Sequence, residues 1–159
     1  MARVVYGAYT TVAASLAGLP TDANLTSGRA TAEIDASAAR ALDYHISGFF
    51  TVASAHVGTV FEIRAYGLTN ASAFNANVSG GGLIDTSGMR DSLQLVDQIP
   101  ISTTAAHTIY WGPKSIAKTF DGFPPQRFGL AFFQNTGDPL NGSAQSHMVG
   151  YRTIEVSGN

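Results

Sequence analysis

Cysteine is absent from this chain of 159 residues. Its absence excludes disulfide staples, thiolate zinc sites and thiol nucleophiles together. Charge is scarce as well: 13% of residues are Asp, Glu, Lys or Arg, against 45% hydrophobic, about half the usual charged share of a soluble domain. A surface so poorly charged predicts that a partner covers part of it. The net charge of −2 is too small to argue for nucleic acid, an anionic membrane or an acidic substrate, and the Lys and Arg residues are scattered. Long apolar runs are also missing. Val12 to Leu19 is broken by Ser15 and Gly18 and falls far short of the roughly 20 residues that span a bilayer. Met1 to Thr10 lacks the continuous apolar run of a signal peptide. Neither a leader nor a membrane helix is expected.

What the chain does contain is strand-length windows bounded by Gly, Asn, Ser and Pro. Ala30, Ala32, Ile34 and Ala36 alternate with Thr31, Glu33, Asp35 and Ser37, the period of a half-buried strand. Ala41 to Val52 continues the pattern, and Gly48 inside it predicts a bulge or a close backbone approach. Gly58 to Gly67 places Val60, Glu62 and Arg64 on one face and Phe61, Ile63 and Ala65 on the other. Ser92 to Ser102, Ala106 to Ile116, Arg127 to Gln134 and His147 to Val156 supply further strands, with one helical turn expected between Ser115 and Asp121. No window sustains a helical apolar period beyond about two turns. The expectation is an all-β, antiparallel two-sheet sandwich of jelly-roll type with about eight strands. Residues 1–29 are read as an N-terminal arm or an edge strand with its loop, and residues 30–159 as a single sandwich domain.

Chemistry-bearing residues form no recognisable constellation. His45, His56, His107 and His147 lack the close spacings of a local zinc motif. No Gly-x-Ser-x-Gly turn presents a nucleophile. Glu33 and Asp35 share a strand side, but no partner oxygens are identifiable, so a solvated face is the reading. Gly80 to Gly82 lack the Lys-Ser/Thr of a phosphate loop. The Asn-x-Ser/Thr triplets at Asn24, Asn70, Asn77 and Asn141 mark loops. No catalytic, metal-binding or cofactor-binding residue is assigned, no cofactor is expected, and the chain is read as not an enzyme. Tyr6, Tyr9, Tyr66, Trp111 and Phe123 lie near turns or strand ends, where aromatics can build a sugar-binding platform. Core packing is the stronger reading for Trp111, and Phe123 beside two prolines is expected to face outward.

The segments Leu16-Ala17-Gly18-Leu19 through Gly28-Arg29-Ala30-Thr31-Ala32-Glu33-Ile34-Asp35, the cassette Phe123-Pro124-Pro125-Gln126-Arg127-Phe128-Gly129-Leu130 with Asn135-Thr136-Gly137, and the closing His147-Met148-Val149-Gly150-Tyr151 resemble small virion proteins of tailed bacteriophages. Some of these are capsid cement, or decoration, proteins with jelly-roll folds. The likeness is one of layout and covers most of the chain. It implies a structural protein made in the host cytoplasm and placed on the outer capsid surface. There it would bind the major capsid protein lattice, self-associate and stabilise the head, with no nucleic acid or membrane partner. Candidate interface residues are Arg3, Val4, Tyr6 and Tyr9 in the arm and Phe123, Pro124, Pro125 and Arg127 in the turn, with the Leu68 to Arg90 loop beside them. The alternative is a carbohydrate- or receptor-binding β-sandwich of a phage tail or adhesin.

Overall fold

The apolar alternation resolves into two antiparallel sheets in a computed structural model, which describes residues 2–37, 41–54, 58–68, 83–85, 89–102 and 104–157. Eleven strands occur among them: β1 (Arg3–Tyr6), β2 (Thr10–Val12), β3 (Ser27–Ala30), β4 (Ile34–Asp35), β5 (Ala41–Val52), β6 (Val60–Leu68), β7 (Leu83–Asp85), β8 (Gln94–Pro100), β9 (His107–Ser115), β10 (Arg127–Gln134) and β11 (His147–Ser157). Two α-helical turns, α1 (Met89–Ser92) and α2 (Ile116–Thr119), and a 3-10 turn at Ala144–Ser146 join them. The first sheet runs β1-β11-β5-β9, with β2 also on β11; the second runs β7-β3-β10-β6-β8, with β4 also on β10.

The pairings are nested: β1 with β11, β3 with β10, β5 with β9, and β6 with β8. The chain is thus one long hairpin folded over, and the added contacts β5–β11 and β6–β10 roll it into two sheets. That is the eight-stranded jelly roll. The expected count near eight corresponds to this nested set, and β2, β4 and β7 are three short additions. The stretch from Ala30 to Ser37, read as one strand, is instead two: β3 ends at Ala30 and β4 starts at Ile34. The division expected at residue 30 therefore falls at the end of β3. Residues before it are integral, since Leu16 and Leu19 are buried in the core. Of the two readings for the N-terminus, β1 and β2 are edge strand and not free arm.

Between the sheets, Phe50 stacks on Phe61 with ring centroids 3.7 Å apart, and Tyr44 meets Phe128 edge-on at 5.1 Å. Ile46, Val52, Ile63, Leu130, Phe132 and Trp111 complete this layer. Burial pushes the Tyr44 hydroxyl up to about 12, and it has no hydrogen-bond partner among the described residues. Gly48 sits where the β5–β9 register shifts, and a Cβ there would lie 2.1 Å from the Met148 carbonyl oxygen. The bulge and the close approach expected of this glycine are both present.

The two sheets differ in how many faces they hide. β10 is buried on both, because Phe133 and Ala131 point away from the main core into a second cluster with Ala30, Tyr66, Leu25 and Leu93. The loop before β3 and the turn of α1 therefore roof the second sheet. Glu62, on the face of β6 opposite Phe61, Ile63 and Ala65, lies under this roof at 0% exposure. Its carboxylate accepts from Arg64 Nε, and from Arg90 Nη2 at 2.6 Å. Arg64 Nη1 donates onward to the Arg90 and Leu93 carbonyls at 3.1 and 2.8 Å, and the Glu62 hydrogen bond raises the Arg90 pKa.

The roofing loop is tied by Asp22. Its carboxylate accepts the backbone N–H groups of Asn24, Thr26 and Ser27 at 2.9, 2.8 and 2.7 Å and the Thr26 hydroxyl at 2.7 Å. The same loop holds Leu25 at φ 54°, a left-handed conformation that disfavours a branched side chain. The Thr26 hydroxyl and then the Asn24 N–H hold the Asp22 carboxyl far below the usual range. With the folded pKa depressed, this stabilisation is present above the unfolded value near 3.9 and is lost as pH falls below it. Asp22→Asn is expected to cost about 1–2 kcal/mol at pH 7 through lost charge-assisted bonds. Urea unfolding should show that gap shrinking between pH 4 and pH 2; a gap independent of pH would remove the carboxylate from this role.

Candidate functional site

With the second sheet roofed, the exposed outer face of the first sheet is the place to look for contact. Alternation along β5 sends Tyr44, Ile46, Phe50 and Val52 inward, leaving His45, Ser47 and Phe49 outward. Register then builds rows across the strands. Arg152 lies opposite His45, Gly150 opposite Ser47, and Met148 opposite Phe49, which in turn faces Tyr110.

The middle row is small and its neighbours are large, so the face is troughed. Tyr6, Tyr9, His45, Ser47, Pro113 and Arg152 line a cleft of about 560 Å³. A second cleft of about 380 Å³ shares Tyr9 and Ser47 and adds Phe49, Tyr110, Trp111 and Met148. Tyr9 is fixed in place: its hydroxyl donates to the Ser47 carbonyl at 3.1 Å. Its ring lies over Gly150, where a Cβ would come within 2.5 Å of Tyr9 Cζ. The Tyr6 ring meets His45 edge-on at 5.9 Å, and Phe49 and Tyr110 lie 5.6 Å apart. His45 Nε2 is 3.3 Å from Asp43 Oδ2.

Among the interface candidates, Arg3, Val4 and Tyr6 lie on β1, which is exposed at all four residues. Val4 is 64% and Tyr6 63% exposed. Tyr9 is half-buried in the trough wall. The turn between α2 and β10 lines a separate cleft. Phe123 there is 81% exposed, as its setting beside two prolines predicts. Pro124 and Pro125 are half-buried, and Pro125 fills the space left by Gly67, where a Cβ would meet Pro125 Cγ at 2.6 Å. Arg127 faces Glu33 at 3.9 Å and Asp35 at 3.6 Å, so it balances the two carboxylates read as a solvated face. The Ser37 hydroxyl, and then its N–H, also lower the Asp35 pKa. Most of the Leu68 to Arg90 loop, with Gly80 to Gly82, Asn70 and Asn77, lies outside the described residues, as does His56.

The residues weighed for metal are engaged apart from one another. Glu62 is held by two arginines, His107 Nδ1 sits 2.7 Å from the Ala105 carbonyl, and His147 Nε2 sits 2.7 Å from the Asn141 carbonyl. Among the described residues no three His, Asp or Glu side chains converge on a point. Of the aromatics weighed for a sugar platform, Tyr6, Tyr9 and Trp111 gather at the trough. Tyr66 is instead buried, donating to the Thr31 carbonyl at 3.3 Å. Trp111 is mostly core, its ring tilted against Phe132 with centroids 6.2 Å apart. No family model matches the chain, and no curated protein or solved structure matches it.

Ser47, Phe49, Tyr110, Met148 and Arg152 were not among the candidates, and His45 was weighed only for metal. Period-two alternation marks each as outward on its own strand. Their meeting depends on the β5–β9 and β5–β11 registers.

Proposed function

We propose that this chain is a structural protein of a tailed-phage virion, a capsid cement or decoration protein that binds the outer surface of the major capsid protein lattice and stabilises the head. The observation that carries this reading is β1. It is the last strand of its sheet, paired on one side to β11 and on the other to nothing among the described residues. Val4, Val5 and Tyr6 on it are all exposed. An open, apolar edge is a template for a strand from another chain, and soluble proteins ordinarily blunt such edges with charge or proline. A low-charge jelly roll with such an edge suits broad lattice contact, where each bridge between subunits must break before the shell opens.

The test is a purified-particle assay. The wild-type chain is expected on heads in hundreds of copies, an order set by shell symmetry. A Val4→Lys/Val5→Lys variant, which charges the edge while leaving β1 paired, should remain folded and fall at least tenfold in head occupancy. A count of tens or fewer per particle, or unchanged saturation by the variant, would overturn the proposal. Deleting Met1 to Tyr9 is the poorer test, because it strips the cover from β11 and removes the Tyr9–Ser47 bond.

A further inference from the structure

We infer that the trough on the outer face of the first sheet is a glycan-binding site, and that Arg152 reads an acidic sugar there. The volume of about 560 Å³, continued by about 380 Å³ along Tyr9 and Ser47, falls in the range of small-ligand sites. The floor is kept low by Gly150 and Ser47, since a side chain at position 150 would strike Tyr9 and the Thr10 carbonyl. The walls are ring faces and edges: Tyr6 and Tyr9 at one end, Phe49 and Tyr110 at the other. A pyranose presents an apolar face of C–H groups, which packs on the electron-rich face of a tyrosine, while its equatorial hydroxyls remain free for polar neighbours.

The charge pattern selects the ligand further. His45 has Asp43 as its partner at 3.3 Å, whereas the guanidinium of Arg152, directly across from it in register, has no ion pair or hydrogen bond among the described residues. An apolar protein surface or lipid chain laid over the trough would desolvate that guanidinium without compensation. A phosphate dianion would meet one cation beside the Asp43 carboxylate. A single carboxylate on a sugar matches one guanidinium in a bidentate pair. The inference does not depend on where the chain sits in a particle, and although Tyr6 of the trough lies on β1, the residues changed in the edge variant, Val4 and Val5, do not line either cleft.

The experiment screens the full chain on an array of acidic and neutral bacterial surface oligosaccharides, then titrates hits calorimetrically against carboxyl-methylated counterparts. Acidic glycans are expected to bind, with methyl esters at least tenfold weaker. Arg152→Gln should bring acid and ester to the same weak affinity, and Tyr110→Ala should weaken both. Phe123→Ala, in the separate cleft, should change neither, and thermal melting should show each variant folded. Absence of binding to any glycan at about 1 mM, or titrations unaffected by both Arg152→Gln and Tyr110→Ala, would overturn the site. Equal affinity for acid and ester would overturn the role of Arg152. Loss of head occupancy in the β1 variant with glycan binding intact, or the reverse, separates this site from the lattice-binding edge.

Discussion

Replacing Glu62 with glutamine is expected to lower stability by about 3–5 kcal/mol, because it leaves two guanidinium groups under an apolar roof without their counter-charge. Glu62 is almost fully covered, and its side chain is flanked by Arg64 at 13% and Arg90 at 25% exposure. Partial solvation of Arg90 favours the lower end of that range. For a chain of this size the loss corresponds to roughly 6–20 °C in melting temperature. The effect should spread through the roof, since Arg64 also satisfies the carbonyls of Arg90 and Leu93. A companion variant that makes all three positions apolar is expected to recover much of the loss, as buried ion pairs replaced entire by packed side chains often are. Urea and thermal unfolding of the pair decide the matter. A single-variant loss under 1 kcal/mol would show that the arginines find solvent instead.

Phe61→Ala, one residue earlier on β6 and pointing the opposite way, should cost about 3–5 kcal/mol by different physics. The ring is fully buried between the sheets, stacked on Phe50 at 3.7 Å and near Phe132 at 6.0 Å. Removing it opens a cavity against two strands held by their own ladders, β5 by β9 and β11, and β6 by β8 and β10. Little collapse can follow. Unlike the Glu62 loss, this one has no charge to rebalance, so no change at Arg64 or Arg90 should recover it. A cost below about 1.5 kcal/mol would mean that the sheets close over the space. Measured together, adjacent residues test the two sides of the second sheet separately.

The alternating runs made the strands legible. Arg127–Gln134 was read with both ends in place, and Gly58–Gly67, Ala106–Ile116 and His147–Val156 lie within a few residues of β6, β9 and β11. These segments alternate or are wholly apolar, and turn residues bound them, so local chemistry suffices. Ala30 to Ser37 misled because alanine alternates with polar residues there whether or not the strand continues. In the structure, the Thr31 hydroxyl accepts from the Leu130 N–H at 3.0 Å, and the chain leaves β3 at that point. The face of β6 bearing Glu62 was separated correctly from that bearing Phe61 and Ile63, but its burial was not legible. A charged residue on an alternating strand reads as solvent-facing, and only the return of Leu25 and Leu93 across the sheet shows that it is covered.

The candidate site divides along the same line. Phe123 was legible, because a Gly-Phe-Pro-Pro turn leaves its aromatic ring few inward options. Tyr6 was legible as an apolar residue before the core strands. The trough was not, because it is assembled from β1, Tyr9 just before β2, β5, β9 and β11, whose members lie far apart along the chain. By itself the sequence determined the periodicity of most strands, hence the all-β class and which residues share a face of a strand. Tertiary structure alone decided the order in which strands pair and the register between them. A side-chain period of two says which face a residue takes but not which residue stands beside it, and here that neighbour turns scattered Tyr6, Tyr9, His45 and Arg152 into one cleft.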